Sequence, residues 1–361
     1  MTRKAVVNMT RRQFLLASGA AALGAAAVNH LAAQAPAGAE PAGPVIDFHV
    51  HLFGVGDGGT GCYISEKQRR HITYSFFTRL MRLRENGRMD EDYLQRLVAM
   101  LRESSVQKAV LLAQDSRYDA QGRPDNANTS FYVPNDYLFR TVARFPELFI
   151  PCVSINPKRR DALDELDRCA ELGARVVKIH PSIQDVDPAE ARFRPFYRRC
   201  GDKKIIVMFH TGTENGAETV GNQFSDPARL ATALEEGATV VASHSGTSNF
   251  NEPEDFFPQI LPLMRRFPKF YSDTAVLAEI GRWRALPRML EDPEIIERCL
   301  HASDIPFPAN ALVFWNRLPY GKLFELATEE NLFERDYRLK LALGVPAAVF
   351  ERSAKLLADM A

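Results

Sequence analysis

The chain has little cysteine, balanced charge and no apolar run long enough to cross a bilayer, and each shortage removes a class of protein. Its five cysteines, Cys62, Cys152, Cys169, Cys200 and Cys299, are odd in number and widely spaced, with no Cys-x-x-Cys pair. That argues against a disulfide scaffold and a thiolate zinc site, and the thiols are expected as small buried apolar groups. The 45 Lys and Arg balance 45 Asp and Glu, which leaves no surplus of positive charge for phosphates or anionic lipid. A nucleic-acid partner is therefore not expected. With 46% hydrophobic residues the 361-residue chain is too apolar for disorder and long enough for one large domain or two ordinary ones. The apolar stretch at 14–28 is broken by Gly19 and Gly24 and falls short of the ~20 residues a spanning helix needs.

That stretch follows Thr10-Arg11-Arg12-Gln13-Phe14-Leu15-Leu16 and leads into small residues and a Pro/Gly-rich segment. The pattern resembles a twin-arginine export signal, with Leu16 where a lysine is often found. Ala37-Gly38-Ala39 has the small-x-small form of a cleavage site, so residues 1–39 are expected as leader and linker and 40–361 as the folded domain. Removing the leader would take away Arg3, Lys4, Arg11 and Arg12, leaving 41 basic and 45 acidic residues and a charge of −4. The resemblance implies folding in the cytoplasm, then passage through the twin-arginine export machinery to the periplasm or beyond.

Eight short β-rich runs recur in the remainder, at 45–51, 108–113, 148–155, 174–180, 204–210, 239–244, 269–274 and 298–304. Between them lie amphipathic segments at 90–103, 135–144, 160–172, 188–200, 226–236 and 254–266, several opened by Asp, Asn or Pro. Near-continuous apolar strands alternating with helices predict a parallel sheet covered on both faces. Eight such units fit an α/β fold of the closed (β/α)8 TIM-barrel type, whose strand C-termini carry the site. An open doubly wound sheet is the rival. It would offer a glycine-rich phosphate turn after its first strand, but Phe53-Gly54-Val55-Gly56-Asp57-Gly58-Gly59 precedes no apolar helical run and reads as a flexible loop. Residues 53–89 form a long insertion after strand 1, expected over the barrel mouth, and 322–361 read as C-terminal helices closing the barrel.

Five histidines close predicted strands. His49 and His51 lie two apart in Asp47-Phe48-His49-Val50-His51 and so share a strand face, while His180, His210 and His244 end the fourth, fifth and sixth runs and Asp304 the eighth. In a parallel barrel these ends share one rim. A lone strand-end histidine is more often structural, and an Asp before Ile305-Pro306 is often a turn former. The joint arrangement carries the weight: imidazoles converging with a carboxylate suit a borderline divalent cation such as zinc, with a position left open for water.

In order and spacing, Val45-Ile46-Asp47-Phe48-His49-Val50-His51, Val176-Val177-Lys178-Ile179-His180-Pro181, Val207-Met208-Phe209-His210-Thr211-Gly212, Val241-Ala242-Ser243-His244-Ser245-Gly246 and Ala302-Ser303-Asp304-Ile305-Pro306-Phe307 are similar to the amidohydrolase superfamily. The branch resembled is amidohydrolase 2, which includes the aminocarboxymuconate-semialdehyde decarboxylase-like enzymes. The resemblance implies one divalent metal ion, zinc as the expectation, held by His49, His51, His210 and Asp304. It implies His244 as the residue that handles a proton beside the activated water. On chemical grounds Asp304 could also take that proton, and the residues alone do not divide the work between the two. A homodimer is a common assembly in this branch.

Four further residues are candidates for the substrate side. Lys178 faces inward with His180; related two-metal enzymes use a carbamylated lysine from this strand, whereas the plain reading is a buried lysine paired with Asp304 or Asp273. His180 is then expected to face substrate. Asp273 closes the seventh strand and either lines the pocket or serves the turn. Arg69, with Arg70 and His71, could grip a substrate carboxylate or form a solvated basic loop. The functional expectation is a metal-dependent hydrolase in which activated water attacks a small amide, ester or lactone. The rivals are a non-oxidative decarboxylase of a small unsaturated or aromatic acid, gripped by Arg69, Arg70 or Arg317, and a catalytically silent ligand-binding barrel.

Overall fold

The computed structural model describes residues 38–360. The twin-arginine segment lies outside the described residues, and of the expected leader only Gly38 and Ala39 fall within them. Eight strands form one parallel sheet in chain order: β1 (Ile46–His51), β2 (Lys108–Leu112), β3 (Phe149–Ser154), β4 (Val176–Ile179), β5 (Ile206–His210), β6 (Thr239–Ser243), β7 (Phe270–Asp273) and β8 (Cys299–Leu300). Helices fill the connections, as in Met89–Arg102, Asn135–Arg144, Ala162–Glu171 and Arg194–Asp202. This is the TIM barrel that the alternation of strands and helices predicts.

Closure depends on backbone hydrogen bonds beyond the regular ladder. Phe48 N–H donates to the His301 carbonyl, Asp304 N–H to His49 and His51 N–H to Ile305, each at 2.9 Å. The strand expected at 298–304 is regular only at Cys299–Leu300. Past it the polar atoms find other partners: His301 N–H donates to Val349 O (3.1 Å), and Ala302 O accepts from Lys340 Nζ (2.6 Å) and Thr274 Oγ1 (3.1 Å). Lys340 also pairs with Asp336 at 2.7 Å, both within the C-terminal helix Leu332–Ala342. The last helix, Ala347–Asp359, packs on β1 and β8. The C-terminal helices therefore hold the segment that ends in Asp304.

Alternation decides which side chains reach the interior. Val110 and Leu112, Ile206 and Met208, and Val176 and Val241 belong to one buried cluster. Continuing by twos, β4 brings Lys178 and His180 to the same side, β5 brings His210 and β6 brings Ser243. On β1 the pairing with β2 shifts between Asp47 and Val50. That irregularity changes the phase after Phe48, so that His49 and His51 line the cavity. All five cysteines are buried free thiols, as expected.

The insertion after β1 is built rather than loose. It contains the helices Glu66–Arg70 and Ile72–Leu80, and Tyr63–Ile64 pairs antiparallel with Phe131–Tyr132. Its glycine-rich start, expected as a flexible loop, is tied to Asp90, whose carboxylate accepts from Val55 N (2.6 Å), Gly56 N (3.1 Å) and Thr60 Oγ1 (2.5 Å). Gln68 Nε2 and Thr73 Oγ1 both donate to the Gly216 carbonyl at 2.8 Å and fasten the insertion over the barrel mouth. Among the described residues no helix is long and apolar enough to cross a membrane.

Candidate metal-centred active site

At the carboxyl ends of the strands lies a cavity of about 140 Å³. His49, His51, Lys178, His180, His210, His244 and Asp304 all line it, together with Glu214 and a wall of aromatic and aliphatic side chains. The tightest group is His49, His51 and Asp304. Asp304 Oδ1 stands 3.2 Å from His49 Nε2 and 2.8 Å from His51 Nε2.

Protons decide what that proximity means. Burial holds the His49 imidazole well below its ordinary pKa, so it is neutral. Its Nδ1 faces Asp273 Oδ2 at 3.4 Å, which places the single ring proton there and leaves an Nε2 lone pair toward Asp304. A lone pair and a buried carboxylate oxygen then face each other, and Asp304 Oδ1, close as it is to His51 Nε2, receives no well-aligned hydrogen bond. Such an arrangement fits a divalent cation with nitrogen and oxygen donors, with Asp273 orienting a ligand from behind. A second group, His49, His244 and Asp273, shares His49 with the first, and a third comprises His180, His210 and Glu214.

His210 is buried, and its Nε2 has no hydrogen-bond partner. Its ring stacks on His180 at 3.9 Å between centroids and lies 4.5 Å from that of His244. His180 Nε2 is 3.1 Å from Glu214 Oε2 and His210 Nε2 is 3.7 Å from it. Burial drives the Glu214 pKa up, but the His180 contact, the Gly216 backbone N–H and the Arg282 charge together leave the carboxyl below its ordinary value. His244 has its backbone N–H on Asp273 Oδ1 at 2.7 Å and its Nδ1 3.4 Å from Ala275 O, while burial keeps the ring neutral. Both His244 (φ 64°) and Asp304 (φ 70°) adopt the left-handed backbone region, a strained state for side-chain-bearing residues that clusters at functional sites.

The substrate-side candidates fall in different places. Lys178, 1% exposed, donates to Ser243 Oγ at 2.9 Å and lies 3.5 Å from His49 Nε2, rather than pairing closely with an acid. Burial lowers its pKa to about 8, against the opposing pull of Asp273 and Asp304. Asp273 lies behind His49 and does not line the cavity. Arg69 is turned to Glu85 and to the Tyr74 hydroxyl, and neither it, Arg70 nor Arg317 lines the cavity. His301 packs against Tyr337 and Phe350 and does not line the cavity.

Two residues of this region escaped the sequence reading. Glu214 lies four positions after His210 in a loop, where no strand or helix period points to it; an acid shortly after a strand-end histidine is the only signal. Arg282 is buried between loops, donating to the Thr247 carbonyl at 2.6 Å and to the Thr213 carbonyl. Nothing local in the sequence marks it.

Residues 46–317 match the family described as Amidohydrolase, and that span contains every ligand candidate above. The chain belongs to this amidohydrolase family. The family is metal-dependent, which agrees with the donor set at the cavity floor. Among solved structures, an uncharacterized TIM-barrel protein from Bordetella bronchiseptica is similar at 17% identity and a TM-score of 0.56, over 88% of this chain and 99% of its own. A proposed 2-pyrone-4,6-dicarboxylic acid hydrolase from Pseudomonas putida is 19% identical with a TM-score of 0.47, over 87% and 97%. The 5-carboxyvanillate decarboxylase of Sphingomonas paucimobilis is 13% identical with a TM-score of 0.49, over 87% and 99%. The first of these likenesses concerns the fold alone. No match to a curated protein was found.

Proposed function

We propose that the chain is a metal-dependent hydrolase of small esters, lactones or amides. The observation that carries this reading is Asp304 Oδ1 set between the Nε2 atoms of His49 and His51 at the floor of the cavity. These three, with His210 through its unpartnered Nε2, would hold one divalent cation, zinc by the chemistry of the donors. Bound there, the cation would acidify water and polarise a carbonyl oxygen.

The protein's own groups supply the rest. In hydrolysis the oxygen of one water joins the acyl carbon and the bond to the leaving oxygen or nitrogen breaks, with a proton passing to the leaving atom. His244 and Asp304 border the cavity and are the groups proposed to take and return that proton, with His244 Nδ1 3.9 Å from Asp304 Oδ2. Asp273 fixes the orientation of both His49 and His244, and His180 faces the substrate. A non-oxidative decarboxylase would have to hold its carboxylate on the cation or on Lys178, since no arginine among the described residues lines this cavity.

The test is a panel of aryl esters, lactones and amides beside carboxylated phenols, followed by acid release and by carbon dioxide release. Divalent-dependent acid release supports the reading. Carbon dioxide release from the phenols without hydrolysis of the others would replace it with decarboxylation. The leader is proposed to direct export by the twin-arginine route, which fractionation after Arg11 and Arg12 are changed to Lys would check: wild type outside the cytoplasm, variant retained.

A further inference from the structure

The cavity has two unlike linings. The proposed metal ligands, with Lys178, His180, His244 and Glu214, come from the strand ends and the loop after β5. The insertion after β1 and the short strand it pairs with bring no charged group to the cavity. Phe53, Ile64, Tyr74 and Phe77 line it from the insertion and Phe131 from the partner strand.

This apolar roof is built. Ile64 and Phe131 are cross-strand neighbours in the antiparallel ribbon, and Tyr74 and Phe77 lie three apart on one face of the helix Ile72–Leu80. The Phe53 ring packs edge-on against Phe77 at 4.4 Å between centroids and against Tyr93 at 5.5 Å. Tyr93 Oη in turn donates to the His51 carbonyl at 2.5 Å, which ties the roof to the strand carrying His49 and His51.

Polar atoms in the roof are engaged or uncharged. The Tyr74 hydroxyl donates to Glu85 at 2.6 Å, and Gln68 Nε2 and Thr73 Oγ1 both donate to the Gly216 carbonyl. Gln68 Oε1 remains, a neutral acceptor without a partner. A carboxylate brought against this roof would lose its water and gain no donor there. The cation and Lys178 could hold an anion at the floor, but in hydrolysis the cation is taken up by the carbonyl and the water. A dry apolar cavity of roughly 150 Å³ takes benzene, so a volume of about 140 Å³ sets the scale here at one ring.

We propose that the substrate presents its carbonyl to the cation and an uncharged apolar group, about one ring in size, to the roof formed by Phe53, Ile64, Phe77 and Phe131. The proposal rests on the hydrolase reading for the carbonyl and adds the chemistry of the group attached to it.

Ketones that cannot be hydrolysed separate binding from turnover. Acetophenone, 4-acetylbenzoate and acetone are titrated into the zinc-loaded protein and followed by NMR. Acetophenone should bind about tenfold or more tighter than either of the others, and Phe131→Ala should weaken it about tenfold with zinc content and circular dichroism unchanged. Ile64→Ala, a smaller truncation of the same roof, should act in the same direction and decides the matter if Phe131→Ala does not fold. Binding of 4-acetylbenzoate as tight as that of acetophenone, including by its carboxylate on the cation, overturns the proposal, as does full acetophenone affinity in the folded variants. Phenyl acetate and its 4-carboxylate are followed on the same samples: turnover of neither removes the hydrolase reading, while the ketones still decide the roof.

Discussion

Asp273 is the residue whose replacement separates orientation from ligation. It does not line the cavity, yet one carboxylate oxygen faces His49 Nδ1 and the other accepts the His244 and Ala275 backbone N–H groups. Asp273→Asn keeps the shape but can present N–H where His49 needs an acceptor, which favours the wrong tautomer. Metal affinity or kcat should fall about 10–100-fold with the fold intact, as changes behind a metal ligand usually do. Titration of the apoprotein with zinc, beside a circular dichroism spectrum, checks both halves. Asp304→Asn acts on a proposed ligand directly and should lose the cation more completely than Asp273→Asn. Zinc affinity and kcat equal in the two variants and wild type would contradict both roles.

At the scale of elements, the helix Leu332–Ala342 is tied to the segment carrying Asp304 through a buried pair. Lys340, fully buried, contacts both Asp336 and the Ala302 carbonyl. Lys340→Met leaves the buried Asp336 carboxyl without this donor and the Ala302 carbonyl with Thr274 Oγ1 alone, and should cost about 3–5 kcal/mol, read as a lower urea midpoint. A change within 1 kcal/mol would show that the pair does not brace the helix. A second link joins the helices Met89–Arg102 and Asn135–Arg144, where both Arg144 terminal nitrogens bond the Glu91 carboxylate at 2.8 and 2.7 Å. Those bonds hold the Glu91 pKa down to about 2. Because the folded value lies below the unfolded one, the contribution is present above the ordinary carboxylate range and fades as pH falls toward about 2. The pair is partly exposed and screened, so it is worth no more than ~1 kcal/mol. The stability difference between wild type and Glu91→Gln should therefore shrink between neutral and acid pH; a difference that grows would reverse the sign.

For the whole molecule, the barrel was legible because buried parallel strands must be near-continuously apolar and must alternate with helices. The same rule placed His49, His51, His180, His210, His244 and Asp304 at one end before any geometry was known. Side-chain direction was less legible. The phase shift in β1 lies in its register with β2, Arg69 depends on where Glu85 comes to rest, and Glu214 sits in a loop without a period. The eighth strand was expected to be longer because its apolar residues do not reveal that Val349 and Lys340 take its backbone partners. The proposed hydrolysis depends on one divalent cation held by His49, His51, His210 and Asp304. Metal analysis of the purified protein, with ester hydrolysis followed through chelation and zinc return, is the decisive measurement. Metal should be stoichiometric, activity should be lost with it and restored by zinc, and His51→Ala should show neither metal nor rescue. Undiminished hydrolysis by metal-free protein would contradict it.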